Sequence, residues 1–308
     1  MRTVAQESQG KVESSAFSVI FRGQIPMNRV YFFRRSTNRV QFQVLGPLAI
    51  TVDDRPISLP GGKQRTLLAA LLLNANRTVT NEEIIEQVWG EIPPHRPRNA
   101  LHTCVGRLRQ ALARQCGDAH RMLRTSAAGY EMRIDTECLD LERFRALDRA
   151  ARKAGARGDL AAEAARLSEA LALWRGPALP DVRSEVLHRD FVPGLNEERL
   201  LALERSHEVG LALGRHDELV GELRILTVRH PFRERFWRQL MLALYRSGRQ
   251  AEALRAYERV SVRLRDELGI DPSPELQRIH LAMLRSEPGL RLAETGARGG
   301  ESAVLSGY

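Results

Sequence analysis

Cysteine is scarce: Cys104, Cys116 and Cys138 are the only three in 308 residues, an odd number with no Cys-x-x-Cys pair. Neither a disulfide framework nor a cysteine-zinc site is indicated, and a reducing cytoplasm is the compartment such usage predicts. Long apolar runs are missing too. The longest, Leu67 to Leu73, falls far short of the roughly 20 residues of a membrane span, so no membrane role is expected. Over the first 40 residues Arg22, Arg29, Arg34 and Arg35 interrupt the stretch where a secretory signal would need its apolar core. Lysine occurs only at 11, 63 and 153, so the positive charge is nearly all arginine, a bias that a GC-rich genome produces by itself. Catalytic signatures are also lacking. Gly61-Gly62-Lys63-Gln64 has no glycine five residues before Gly62 and carries Gln where a phosphate loop needs Ser or Thr. His188, His207, His216 and His230 stand on separate predicted helices without ligand spacing. The residues predict no enzyme, no metal and no cofactor.

Hydrophobic residues make up 43% of the chain and charged residues 28%, near globular averages, so neither wholesale disorder nor a fibrous repeat fits. At about 100 to 200 residues per domain, this length predicts two domains. The formal net charge of +9 favours a polyanionic partner, and its location says more than its size. Residues 41–136 carry twelve Lys or Arg against nine Asp or Glu, whereas the chain after 136 carries 28 against 27. Within the first block Arg96, Arg98, Arg107, Arg109, Arg114, Arg121, Arg124 and Arg133 face only Glu91, Asp118 and Glu131.

Four segments follow from the patterning. Residues 1–39 show no sustained period and predict a disordered arm, in which Met27 is a second candidate start. Residues 40–136 open with three short antiparallel strands: Val40, Phe42 and Val44 alternate with Gln41 and Gln43, Gly46-Pro47 turns into Leu48, Ile50 and Val52, and Asp53-Asp54 turns into Ile57 and Leu59. A buried helix is predicted from Lys63 to Ala75. A second begins at the capping box Thr80-Asn81-Glu82-Glu83 and runs to about Trp89. Pro97 opens a third, lasting to about Cys116. Met122 to Ser126 and Tyr130 to Ile134 then flank Ala127-Ala128-Gly129 as a hairpin. Sheet, three helices, hairpin is the order of a winged helix. Residues 137–286 read as helix throughout, about seven of them, with Gly214-Arg-His-Asp-Glu-Leu-Val repeated as Gly248-Arg-Gln-Ala-Glu-Ala-Leu at a spacing of 34, the tetratricopeptide (TPR) period. A weaker copy at Gly158 lies 56 residues upstream of Gly214. Residues 287–308 predict a disordered tail.

The third helix carries the candidate chemistry. Leu101, Val105, Leu108 and Leu112 fall on one stripe at about 100° per residue, so the opposite side presents Asn99, Thr103, Gly106, Arg107 and Gln110, flanked by His102 and Arg109. Arg can pair with guanine, Asn or Gln with adenine, and the Thr methyl with that of thymine. Arg98, Arg109 and Arg114 suit backbone phosphates. A solvated arginine-rich face is the alternative. The hairpin adds Arg121 and Arg124 as a wing whose tip is uncharged, and Lys63 and Arg65 stand where a helix N-terminus can hold a phosphate.

Longer motifs add a resemblance. Val44-Leu45-Gly46-Pro47-Leu48, Lys63-Gln64-Arg65, Val88-Trp89-Gly90, Arg98-Asn99-Ala100-Leu101, Gly129-Tyr130, Leu173-Trp174-Arg175-Gly176-Pro177 and Leu268-Gly269-Ile270-Asp271-Pro272 resemble those of the SARP family, the Streptomyces antibiotic regulatory proteins, over roughly residues 40 to 286. The resemblance implies a mainly α chain: an N-terminal OmpR/PhoB-type winged helix (α+β), then an all-α, TPR-like bacterial transcriptional activator domain. It further implies a transcriptional activator of an antibiotic biosynthetic gene cluster that binds direct repeats in double-stranded DNA as a dimer, recruits RNA polymerase holoenzyme and resides on the cytoplasmic nucleoid. The DNA-reading helix then falls on Arg98 to Leu112, with Thr103 and Arg107 at bases. His102, Cys104 and Gly106 stand where the family suggests Gln, Tyr and Ser, and Ser126 where the wing usually has Arg, so a different operator is expected. The DNA-contact set is Lys63, Arg65, Arg98, Asn99, His102, Thr103, Arg107, Arg109, Gln110, Arg124 and Ser126. A TPR-type interaction scaffold, or a repressor of the same architecture, is the alternative.

Overall fold

The computed structural model describes residues 39–58 and 61–290. The expected arm, apart from its last residue, and the expected tail beyond Leu290 lie outside the described residues. Residues Pro288–Leu290, expected to belong to the tail, form a 3-10 turn, and the Leu290 carbonyl accepts from Arg246 Nε at 2.9 Å.

The first half begins with an antiparallel sheet, β1 (Val40–Gln43), β2 (Ala49–Val52) and β3 (Arg55–Pro56), in register Val40↔Val52, Phe42↔Ile50 and Val52↔Arg55. Asp53 and Asp54 both have positive φ, 50° and 61°, the conformation a tight hairpin turn requires. The third strand is shorter than the alternation predicts, although Ile57 still donates to the Ile50 carbonyl at 3.0 Å. Helices α1 (Lys63–Leu73), α2 (Asn81–Trp89) and α3 (Pro97–Cys116) follow. The capping box is present: Glu83 N–H donates to Thr80 Oγ1 at 3.2 Å and Thr80 N–H to Glu83 Oε2 at 2.8 Å. One strand escaped the sequence reading. Thr78–Thr80 forms β4, which pairs with β6 (Gly129–Met132), itself paired with β5 (Leu123–Thr125), so the wing is three-stranded. Three residues are too few for an alternation to register. Gly129 is obligatory there, because a Cβ would stand 2.0 Å from the Val79 carbonyl oxygen.

Eight helices follow among the described residues, one more than expected: α4 (Asp140–Ala156), α5 (Leu160–Leu171), α6 (Glu185–Asp190), α7 (Val192–Ala212), α8 (His216–Arg229), α9 (Glu234–Arg246), α10 (Gln250–Leu268) and α11 (Pro274–Leu284). Pro193-Gly194 lies in the first turn of α7 and does not break it, because proline there needs no partner for its missing donor. The repeat is a structural one. Gly158, Gly214 and Gly248 have φ of 75°, 81° and 75° and close the hairpins α4/α5, α7/α8 and α9/α10. Each is followed by the same backbone bond across the helix end: Asp159 N–H to the Ala154 carbonyl, Arg215 N–H to Gly210 and Arg249 N–H to Leu244, at 3.1, 3.0 and 2.9 Å. The wider first spacing has a physical cause. Residues 172–191, which include α6, intervene between the first two hairpins and fold against the winged helix.

That insertion forms a clasp. Arg175 N–H donates to the Leu45 carbonyl at 2.8 Å, Leu179 N–H to Gly46 at 2.9 Å, and Leu48 N–H to Asp181 Oδ1 at 2.9 Å. Gly46 has φ 151°, and a Cβ on it would meet Arg175 Cβ at 3.0 Å. Ser184 Oγ donates to the Gln87 carbonyl at 2.6 Å. Asp140, buried, accepts from the amides of Val44, Leu45 and Leu141. One hydrophobic core consequently runs from Val40 through the winged helix to Val209, and a second from Leu211 to Met283, so the packing boundary falls within α7.

Candidate nucleic-acid interface

Helix α3 is amphipathic by placement. Leu101, Cys104, Val105, Leu108, Ala111 and Leu112 are buried against α1 and α2, while Asn99, Thr103, Gly106, Arg107 and Gln110 are exposed on the other side. Arg107 and Gln110 make no hydrogen bond or ion pair among the described residues. The Thr103 hydroxyl donates back to the Asn99 carbonyl at 2.9 Å, and the residue stays exposed. Nothing lies within 4 Å of a Cβ added to Gly106, so this row is open to a partner along its length.

The flank towards the wing is ordered differently. Arg109 donates from Nε and Nη2 to the Leu123 carbonyl at 3.2 and 3.0 Å, and from Nη2 to Thr125 Oγ1 at 2.9 Å. Its guanidinium lies 5.8 Å from the Tyr130 ring centre. His102 Nδ1 is 2.8 Å from the Tyr130 hydroxyl, and the rings meet edge to face. These contacts fix the angle between α3 and the wing. Tyr130 is the participant that the sequence reading did not single out as functional; burial pushes its phenol above the ordinary value, with Arg109 pulling the other way.

The remaining expected residues divide into open and occupied. Arg98 pairs with Glu82 Oε1 at 2.8 Å, both side chains about two-thirds exposed, and that partner holds the Glu82 carboxyl below its usual range. An ion pair this exposed is worth little and exchanges readily for another anion. Arg124 is exposed on β5 without a partner among the described residues, and Ser126, half-buried, closes the wing turn by donating its N–H to Gly129 at 2.9 Å. Lys63 Nζ donates to the Val88 carbonyl at 2.7 Å. Arg65 is held elsewhere: its guanidinium donates to the Leu48 carbonyl and pairs with Asp181, so it serves the clasp. The Cys104 and Cys116 thiols are pushed up to about 11 by burial. No group of His, Cys, Asp or Glu among the described residues is arranged to hold a metal ion.

Comparison with known proteins places these features. Residues 54–132 match the family described as transcriptional regulatory protein, C terminal, and residues 139–284 match the bacterial transcriptional activator domain. Regulatory protein DnrI of Streptomyces peucetius is 36% identical over 82% of this chain and 94% of its own length. Regulatory protein AfsR of Streptomyces coelicolor is 42% identical over 87% of this chain and 26% of its own. Transcriptional regulatory protein EmbR of Mycobacterium tuberculosis is 39% identical over 81% of this chain, which spans 64% of that protein. The solved structure of M. tuberculosis EmbR in complex with a low affinity phosphopeptide superposes with a TM-score of 0.78, covering 82% of this chain and 66% of the other. A winged helix joined to an activator domain is the architecture of a transcriptional regulator. The chain belongs to the SARP family.

Proposed function

We propose that this regulator binds DNA in a sequence-specific manner and activates an antibiotic biosynthetic gene cluster. The observation that carries the reading is the outward row of α3, where Asn99, Thr103, Arg107 and Gln110 stand exposed opposite a fully buried stripe. A helix displayed in this way enters the major groove with its side chains at base edges. Arg98, Arg124 and the exposed Arg114 then neutralise phosphates, a term that is independent of sequence and weakened by salt. His102 and Arg109 join the interface from the wing flank, and Ser126 sits at its turn; Lys63 and Arg65 are left to the protein's own contacts. Direct repeats as the target, a dimer on DNA, RNA polymerase holoenzyme as the partner and residence on the nucleoid follow from the family. Among the described residues no helix is long and apolar enough to cross a membrane.

Footprinting on the intergenic regions of the surrounding gene cluster tests the reading. Protected direct repeats upstream of a promoter, with transcription raised in a reconstituted reaction, support it. No salt-sensitive protection in any of these regions would overturn it.

One observation favours a second reading, a scaffold that binds a protein through its repeats. Ile225 and Val228 on α8 and Val262 on α10 are exposed apolar side chains, Val228 at 74%, and Val228 and Val262 line one groove over Trp237. A scaffold predicts capture of a protein partner with unchanged affinity when Arg107 is replaced.

A further inference from the structure

The hydrogen bond between His102 and Tyr130 has a direction that can be derived. Tyr130 is only 3% exposed, and its hydroxyl has no second partner among the described residues. A buried hydroxyl must place its proton, and His102 Nδ1 at 2.8 Å is the acceptor within reach. Burial also pushes the phenol up, which keeps that proton on the oxygen. A neutral imidazole that accepts at Nδ1 carries its own hydrogen on Nε2, on the far edge of the ring. His102 is exposed, so this edge is free. One helical turn further on, Gly106 has no side chain and open space around it, which leaves a gap beside the imidazole on the same face.

We propose, resting on the DNA-binding reading above, that His102 reads a base and that Tyr130 is the positioning residue that sets its tautomer. Nε2–H is then a donor presented to the groove, matched best by guanine, whose N7 and O6 are both acceptors, and less well by adenine and thymine, which offer one acceptor each. Cytosine, which presents an amino donor at the same edge, is rejected. Arg109 assists by holding the Tyr130 ring and the Leu123 carbonyl together, so the imidazole is fixed from the wing side.

Two measurements on the full chain test this. The first is 15N-edited NMR of the imidazole nitrogens, with the His102 signals identified through His102→Ala. The Nε2–H form is expected in the wild type, and Tyr130→Phe, which keeps the ring, should shift it towards a mixture. An Nδ1–H form in the wild type would overturn the role of Tyr130. The second is selection from random-sequence duplexes. Wild type should enrich a motif with guanine at one position that His102→Ala loses, with a drop of about tenfold at that position, and Tyr130→Phe should blur the same position alone. Equal weakening on every sequence would make His102 a phosphate contact and sink the base-reading role. Failure of the wild type to enrich any motif would overturn the DNA-binding reading itself, while the NMR result would still report the tautomer.

Discussion

Both carboxylate oxygens of Asp140 accept the amide of Val44, at 2.8 and 3.0 Å, across 96 residues of sequence. One of them also takes the Leu45 amide at 3.0 Å, and the Arg175 guanidinium stands 3.6 Å away. Asp140→Ala removes the acceptor of three buried amides, Val44, Leu45 and Leu141, at a cost of about 1–3 kcal/mol each, and Asp140→Asn, which keeps one acceptor, should lose less. Urea denaturation gives both values.

The same carboxyl imposes a pH dependence. Burial pushes Asp140 above its ordinary value of 3.8, against the pull of the Val44 and Leu45 amides and Arg175. The folded state therefore holds this proton more tightly than the unfolded chain. Its contribution to stability grows as pH falls through the folded value and levels off below 3.8. Subtracting the Asp140→Asn unfolding free energy from that of wild type removes the other carboxylates, and the difference should rise on acidification.

The two arginines of α3 should separate. Arg107→Ala is expected to cost about 1–3 kcal/mol of DNA affinity and to relax base preference, with unchanged thermal stability. Arg109→Ala loosens the wing from α3, so it should lower the melting temperature, weaken binding to every sequence and blur the position that His102 reads. Its salt slope should stay near that of wild type, because its guanidinium is occupied by Leu123 and Thr125. Arg124→Ala should reduce that slope by about one. Anisotropy titrations at several salt concentrations distinguish the three.

Gly106 and Gly129 should respond in opposite ways to alanine. Gly106 lies in the interior of a helix with open space around it, so Gly106→Ala should stabilise by about 1 kcal/mol. At Gly129 a methyl meets the Val79 carbonyl, and destabilisation of at least 1–3 kcal/mol is expected, roughly the range for overpacking. Thermal melts suffice.

Alkylation should report the packing of α3. Cys104 and Cys116 are buried with thiols near 11, so both should resist iodoacetamide at pH 8. Cys138, half-buried, should react first. Peptide mapping of the labelled protein checks the order.

Much of this was legible because helices of ten or more residues repeat their pattern several times. The limits of α3 and the face it exposes came directly from Pro97 and the Leu101, Val105, Leu108, Leu112 stripe. The cap at Thr80 was legible for a different reason, a fixed spacing between two residue types. Strand β4 was not, since its partner lies some fifty residues away and its own three residues carry no period. Arg65 shows the other limit. A cation at the start of a helix is chemically fit for phosphate, and only the fold reveals that Asp181, from the second half of the chain, reaches it first. Tyr130 was hidden likewise, as a motif residue whose hydroxyl acquires meaning only beside His102.

Because the first core extends as far as Val209, the winged helix is not a detachable module. A fragment cut after residue 136 would strip Leu45 and Leu48 of their covering and leave Val44 and Leu45 N–H groups without an acceptor. Any excised reader of DNA that stays soluble should therefore keep the chain through α7.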